Sequence, residues 1–267
     1  MTPVCVMGGI SATAALDWWP GIVGPGGPLD PRAMPLVGFD FLRDRTYSTF
    51  EQADALLEHL DAQDIDQVRI VGASYGGMVG LALATIAPER IERLIVLAAA
   101  HRPHPIGVAW RSIQRQILDL GVDAGQEERG VALARALAMT TFRTPAEFDA
   151  RFDGTVVRQG DDVQAPVDSY LAHHGQKYAA VHSAKSFRAL TASIDLHRVD
   201  PAAVTVPVHL VAFVGDLIVP PDLVRELAEL LPNCLSFDIL PSIHGHDGFL
   251  LEIEALSPVL RQALEAK

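Results

Sequence analysis

Ser74 lies in a pattern that could make it a nucleophile, since residues 72–76 read Gly-Ala-Ser-Tyr-Gly. The G-x-S-x-G spacing is typical of a nucleophile elbow, a sharp turn between a strand and a helix that exposes a serine hydroxyl. The flanks fit this interpretation, because residues 68–71 are mostly β-branched and residues 78–87 are mostly apolar and followed by a proline. The two glycines allow the strand and the helix to approach closely. The pattern therefore predicts that Ser74 attacks a carbonyl carbon.

A serine nucleophile needs a general base, and the base needs a third group that orients it. In elbow enzymes the acid follows a late strand and the histidine lies in the last loop. Asp216 follows the predicted strand at 206–214, and His244 and His246 lie in the loop at 241–248. Spacing favours His246, which stands just before a predicted helix, and leaves His244 as the alternative base.

Two simpler interpretations of these residues remain open. An aspartate at the end of a strand, such as Asp216, is a common turn residue. His244, His246 and Asp247 could also suggest a metal site. Because no other well-spaced ligands accompany that cluster, we expect no bound metal.

Acyl transfer through a serine requires an oxyanion hole, which consists of two backbone N–H donors. One donor belongs to the residue after the nucleophile, here Tyr75, and the other to the loop after an early strand. The predicted strand at 4–7 opens into Gly8-Gly9-Ile10, so we predict Ile10 as the second donor.

Composition narrows the classes of partner. The chain has 267 residues, a formal net charge of −12 and a hydrophobic share of 49%. Without a long basic run, nucleic acid and anionic membrane surfaces are not expected as main partners. The two cysteines form neither a disulfide framework nor a metal motif. No signal peptide is evident and no apolar run approaches the roughly 20 residues of a membrane span, so we expect a cytoplasmic protein.

Predicted strands alternate with helices near both ends of the chain, which indicates a mostly parallel sheet flanked by helices. Residues 1–100 and 204–267 are predicted to form the two parts of one α/β core. Residues 101–203 show helical patterns and no convincing strand, so we expect a helical lid over the sheet.

The sequence indicates where two helices of the predicted core begin. In a helix at 49–63, Thr49 and Gln52 fit a capping box. A last helix is predicted from about Phe249 to the C-terminus.

The motifs taken together resemble those of the homoserine O-acyltransferases, the acetyl- and succinyltransferases of the α/β-hydrolase superfamily. The resemblance covers most of the chain. It rests on residues 9–11, 18–19, 24–26, 74–78, 114–117, 141–143, 169–171, 174–178, 190–191, 195, 215–216 and 245–250. The last of these stretches identifies His246 as the base. The resemblance implies an α/β-hydrolase fold with a helical lid.

The resemblance also implies a ping-pong reaction. Ser74 takes an acyl group from acyl-CoA, the co-substrate, and passes it to the hydroxyl of homoserine or serine. Arg143 is implied to bind the carboxylate of the acceptor amino acid and Asp247 its amine. A planar guanidinium grips a carboxylate at two points, which fits that role for Arg143. No further cofactor is expected, and the family suggests a homodimer with lid helices at the interface.

The chain departs from the family pattern in four places, which include Gly80 and the early loop at residues 7–9. It begins at the strand before the oxyanion loop, so we expect an N-terminally shortened sheet, and Tyr75 follows the serine where the family has Met or Leu. A carboxylic-ester hydrolase on the same scaffold is the alternative function, because it would share Ser74, Asp216 and His246. The lid motifs and Arg143 favour the transferase. A non-catalytic scaffold or ligand receptor is a third hypothesis, which the complete set of three residues disfavours.

Overall fold

The computed structural model describes residues 1–265. Its strands are β1 (Val4–Met7), β2 (Leu36–Gly38), β3 (Val68–Ala73), β4 (Ile91–Leu97), β5 (Val157–Gln159), β6 (Asp162–Gln164), β7 (Val208–Phe213) and β8 (Cys234–Leu240). Six of them form one sheet in the order β2-β1-β3-β4-β7-β8, and every neighbouring pair is parallel. The predicted parallel sheet is therefore confirmed.

Helices flank this sheet and fill the predicted lid. They are α1 (Thr49–Asp61), α2 (Tyr75–Ile86), α3 (Pro105–Asp123), α4 (Glu127–Phe142), α5 (Pro145–Arg151), α6 (Pro166–Ala179), α7 (Ala184–Leu196), α8 (Pro221–Leu230), α9 (Gly248–Leu251) and α10 (Ile253–Glu265). Within residues 1–265, no helix is both long enough and apolar enough to cross a membrane.

The sheet is buried on both faces, because alternate residues of its strands point into two separate apolar layers. Cys5 and Met7 of β1 pack in one layer with residues of α1, α2 and α8. Val4 and Val6 pack in the opposite layer with Trp19 and residues of α10. Strands covered on both sides have no polar face, which explains why they read as continuous apolar runs in the sequence.

Helices α3 to α7 lie between β4 and β7, where the sequence predicts a lid. Four of them, α3, α4, α6 and α7, share an apolar cluster of their own, formed by Leu118, Val131, Ala134, Tyr178, Ala184 and Phe187. The exact domain boundaries, at residues 100 and 203, stay a prediction.

One part of this segment was not expected. Strands β5 and β6 form an antiparallel hairpin between α5 and α6, whereas the sequence showed no convincing strand there. All six residues of the two strands are exposed. Short strands without a buried side leave no apolar alternation, which is the pattern that identifies a strand in a sequence.

The predicted capping box of α1 is wrong by one residue. The helix is capped by Ser48, whose Oγ accepts a hydrogen bond from the backbone N–H of Glu51 at 3.2 Å. The carboxylate of Glu51 in turn accepts from the backbone N–H of Ser48 at 2.7 Å. Thr49 is buried instead, and the Gln52 side chain pairs with the backbone of Leu42.

The predicted last helix is interrupted. Helix α9 ends at Leu251 and α10 begins at Ile253, and the N–H of Glu252 between them bonds to Gly248. The predicted helix was to reach the C-terminus, but residues 266–267 lie outside the described residues.

Candidate active site

Ser74 occupies a strained turn between β3 and α2. Its φ is +53°, in the left-handed region that non-glycine residues rarely adopt. A Cβ on Gly72 would lie 2.5 Å from the carbonyl oxygen of Gly76, and a Cβ on Gly76 would lie 2.5 Å from that of Met7. Only glycine fits at both positions, because the turn packs β3, α2 and β1 together at backbone contact.

The structure brings the three sequence-predicted residues together at this turn. Ser74 Oγ lies 2.8 Å from His246 Nε2, and His246 Nδ1 lies 2.7 Å from Asp216 Oδ2. When Nδ1–H donates to the carboxylate, Nε2 is left as an acceptor that faces the serine hydroxyl. This geometry can remove a proton from Ser74 as its oxygen attacks a carbonyl.

Asp216 is both a turn residue, as its place after a strand allows, and the hydrogen-bond partner of His246. Its Oδ1 accepts hydrogen bonds from the backbone N–H groups of Ile218 and Val219, each at 2.8 Å. Its Oδ2 remains for His246. The carboxylate is buried and held at both oxygens, so it can fix the orientation of the imidazole.

The charge state of His246 depends on two opposing influences. Burial lowers the pKa of His246, but the charge and hydrogen bond of Asp216 outweigh it and raise that pKa above its ordinary value. Asp247, the next residue, acts in the same direction. A more basic imidazole is a stronger proton acceptor, although it must be neutral to act.

His244, the alternative base, lies elsewhere. Its Nδ1 is 3.0 Å from Glu147 Oε2 on α5, so its ring contacts the lid. Among residues 1–265, no group of three or more His, Cys, Asp or Glu side chains is arranged to hold a metal ion.

The two predicted oxyanion donors lie near Ser74. A Cβ built on Gly9, which precedes Ile10, would be only 3.9 Å from Ser74 Cβ, so the loop after β1 runs beside Ser74. In the described part of the chain, the backbone N–H groups of Ile10 and Tyr75 have no acceptor. Both line the same cavity as Ser74, so both are free to bind an oxyanion there.

That cavity, of about 240 Å³, lies between the nucleophile turn and the lid. Its wall is largely apolar and includes Trp18, Met78, Trp110, Phe142, Phe187 and Phe249. Three charged side chains also reach it: Arg111 from α3, Arg135 from α4 and Asp247 from the loop after β8. An apolar cavity with a few charged groups suits a small, charged organic ligand.

Arg135 is the functional candidate that the sequence reasoning missed. Its guanidinium lies over the rings of Phe142 and Tyr178, at 5.0 and 4.8 Å from their centroids. Within residues 1–265 it forms no ion pair with a carboxylate. Burial lowers the pKa of Arg135, and the nearby Tyr178 and Asp247 oppose that shift. The only signal in the sequence is a lone arginine in the alanine-rich stretch 132–138.

Arg111 is a second cation with free donors in the cavity. Its Nε donates to Asp195 Oδ1 at 2.6 Å, and Arg115 takes the other oxygen of the same carboxylate at 2.7 Å. The terminal amino groups of Arg111 have no acceptor in the described chain. Two guanidinium groups thus share one carboxylate, which leaves a net positive charge beside the cavity.

Arg143 and Asp247, the predicted binders of the acceptor, are paired with each other. The Nη2 atom of Arg143 lies 3.1 Å from Asp247 Oδ2, and its Nη1 atom lies 3.0 Å from Glu147 Oε1. Asp247 lines the cavity, whereas Arg143 is not among the residues that line it. Burial raises the pKa of Asp247, and the charge of Arg143 opposes that shift.

Comparison with known proteins agrees with this architecture. A family model described as the alpha/beta hydrolase fold matches residues 25–253. The structure of esterase E22 superposes with a TM-score of 0.88 at 16% identity, covering 99% of this chain and 90% of that chain. Homoserine O-acetyltransferase from Bacillus anthracis superposes with a TM-score of 0.89 at 16% identity, covering 100% and 89%. At these identities the two structures show the shared fold alone.

One relative found by sequence comparison identifies the family within this fold. The homoserine O-succinyltransferase of Xanthomonas campestris pv. campestris is 41% identical, over 98% of this chain and 75% of its own length. Within the α/β-hydrolase fold, the chain therefore belongs to the homoserine O-acyltransferase family.

The pairing of His246 with Asp216 makes a prediction that is independent of any reaction. In a pH titration followed by NMR, the ring of His246 should titrate above the ordinary histidine value. Asp216→Asn removes the opposing charge but keeps the burial, so the pKa of His246 should fall below that value. An unchanged titration in the variant would show that Asp216 does not control the base.

Proposed function

We propose that the protein is a homoserine O-acyltransferase that uses a Ser74 acyl-enzyme and an acyl-CoA donor. The observation that carries this proposal is the hydrogen-bonded series Ser74–His246–Asp216 opening into a cavity with charged groups for an amino acid. Membership of the family supports the same activity. The cytoplasmic location and the homodimer stay predictions.

In the first half-reaction, His246 Nε2 takes the proton of Ser74 as Oγ attacks the thioester carbonyl. The N–H groups of Tyr75 and Ile10 hold the oxyanion of the tetrahedral intermediate. The carbon–sulfur bond then breaks, and His246 returns the proton to the departing CoA sulfur. In the second half-reaction, His246 takes the proton of the acceptor hydroxyl as the hydroxyl oxygen attacks the acyl-serine carbonyl. The bond between the acyl carbon and Ser74 Oγ then breaks, and His246 returns the proton to Ser74 Oγ.

The acceptor is a zwitterion, so its site needs one cation and one anion in the cavity. Arg135 offers a guanidinium without a protein carboxylate, and Asp247 offers the carboxylate for the ammonium group. In this proposal Arg143 acts through Asp247, which it holds in place from behind. The sequence-based assignment of the acceptor carboxylate to Arg143 stays a competing prediction.

The donor is proposed to carry a carboxylate of its own, as a succinyl group does. An acetyl group has no carboxylate that a second cation in the cavity could bind. Burying the donors of a guanidinium is costly unless acceptors bind them, and Asp195 binds only the Nε of Arg111. The free amino groups of Arg111 therefore favour a succinyl donor, and the name of the relative in Xanthomonas campestris agrees.

A carboxylic-ester hydrolase remains the alternative function. The serine, histidine and aspartate would serve it equally, and esterase E22 shares the fold. The zwitterion site of Arg135 and Asp247 favours the transferase, because water as acceptor needs neither group. Release of free acid in place of acyl-homoserine would support the hydrolase.

Ser74→Ala should abolish acyl transfer, because it removes the attacking oxygen and little else. The loss should be on the order of 10⁶ in rate. Mass spectrometry after mixing with succinyl-CoA should show an acyl adduct on the wild-type protein and none on the variant. Substantial remaining transfer in Ser74→Ala would refute the acyl-enzyme.

Arg135→Lys should raise the KM for homoserine at least about tenfold, since lysine keeps the charge but loses the two-point grip on a carboxylate. CoA release without acceptor, which reports acylation of Ser74, should be unchanged. Arg129→Lys, an exposed change on the same helix, is the matched control. A normal KM in Arg135→Lys with a raised KM in Arg143→Lys would favour the sequence-based assignment instead.

Arg111→Leu should lower kcat/KM for succinyl-CoA about 100-fold, the scale of losing one partner of a buried ion pair. Activity with acetyl-CoA should change little, so the ratio of the two donors is the measurement. Arg188→Leu removes a lid arginine that pairs with Asp119 near the surface, and serves as the control. Equal losses with both donors would exclude Arg111 as the group that selects the donor.

A further inference from the structure

The side chain of Tyr75 joins the nucleophile turn to the lid. It is fully buried, and its hydroxyl lies 2.6 Å from Ser193 Oγ, which is equally buried on α7. Its ring packs edge-to-face with Phe41, with ring centroids 4.7 Å apart. The ring is therefore fixed by packing on one side and by a hydrogen bond at its tip.

The backbone of the same residue carries one of the two free N–H groups beside Ser74. On the side of the sheet, this backbone is held by the next residue, since Gly76 N–H donates to Gly8 O at 2.9 Å. On the side of the lid, it is held through the Tyr75 ring by Ser193. These two anchors, in different parts of the fold, determine the direction in which the Tyr75 N–H points.

Helix α7 is also a wall of the cavity. Phe187, Thr191 and Ile194 of this helix line the cavity, and Ser193 precedes the last of them. An acyl chain bound against that wall contacts the helix that holds Tyr75. The part of the lid that contacts the acyl chain is thus linked by one hydrogen bond to a residue beside the nucleophile.

We propose that Tyr75, through its side chain, and Ser193 are positioning residues of the oxyanion hole. Their hydrogen bond keeps the Tyr75 N–H aimed at the oxyanion when the lid wall is in contact with the acyl chain. The inference rests on the proposed acyl transfer for its natural substrate. The oxyanion forms equally in ester hydrolysis, so the role can be tested on a simple ester as well.

A group that orients an oxyanion donor acts on the transition state more than on the bound substrate. Loss of the hydrogen bond should therefore lower kcat and leave KM nearly unchanged. Both half-reactions should slow by the same factor, because each passes through a tetrahedral oxyanion. A purely structural hydrogen bond would lower the melting temperature without this pattern.

The experiment compares Tyr75→Phe, Ser193→Ala and the double variant. Acylation is followed by CoA release from succinyl-CoA, transfer by formation of acyl-homoserine, and ester cleavage with p-nitrophenyl acetate. Each single change should lower kcat about five- to tenfold, as expected for one buried hydrogen bond, with KM within about twofold of wild type. The double variant should be no slower than the slower single variant.

Tyr170→Phe is the matched control, because Tyr170 of α6 has a buried hydroxyl without an acceptor among residues 1–265. It should leave kcat unchanged. Normal kcat in both single variants, measured well below their melting temperatures, would overturn the proposal, as would fully additive losses in the double variant. Cleavage of the ester without any acyl transfer would refute the acyltransferase function, and the ester data would then decide the role of Tyr75 and Ser193.

Discussion

The left-handed backbone of Ser74 is the constraint on which the rest of the structure depends. A non-glycine residue in this region costs about 1–3 kcal/mol, so the surrounding structure must hold it there. The close packing at Gly72 and Gly76 provides that support. Because β3 lies in the middle of a parallel sheet, the loops after β1, β7 and β8 emerge at the same edge as Ser74. These loops carry Ile10, Asp216 and His246.

The lid is part of the site and does more than cover it. Glu147, buried on α5, accepts hydrogen bonds from Arg143 and Arg151 and contacts His244. Arg143 extends this network to Asp247, the residue after His246. The loop that carries His246 is therefore held from the lid side by charge and from the core side by Asp216. Movement of α5 would disturb both Asp247 and the loop that carries His246.

Local patterns predicted the fold and the three paired residues well, and the failures have physical causes. The turn at Ser74 could be predicted because the glycines that it requires, Gly72 and Gly76, lie within two residues of Ser74. The capping box was misplaced because Ser48 and Thr49 both fit the same short pattern, and burial of Thr49 decides between them. Arg135 was missed because an arginine within a helix usually faces water, and one of the two rings that cover it, Tyr178, lies on another helix. Contacts of that kind leave no trace in local sequence.

The ends of the lid are close neighbours in the sheet, since Leu94 and Leu97 of β4 pair with Val208 and Val211 of β7. The whole insertion is therefore equivalent to one long loop of the core whose two ends are held together by the pairing of β4 with β7. The entropy of closing a loop grows slowly, by only about 0.6 kcal/mol for each doubling of length. The insertion can therefore lengthen, shorten or exchange side chains while the core keeps its stability. Arg111 and Arg135, which line the cavity, both lie within this tolerant segment, so these two charged positions can change without any change at Ser74.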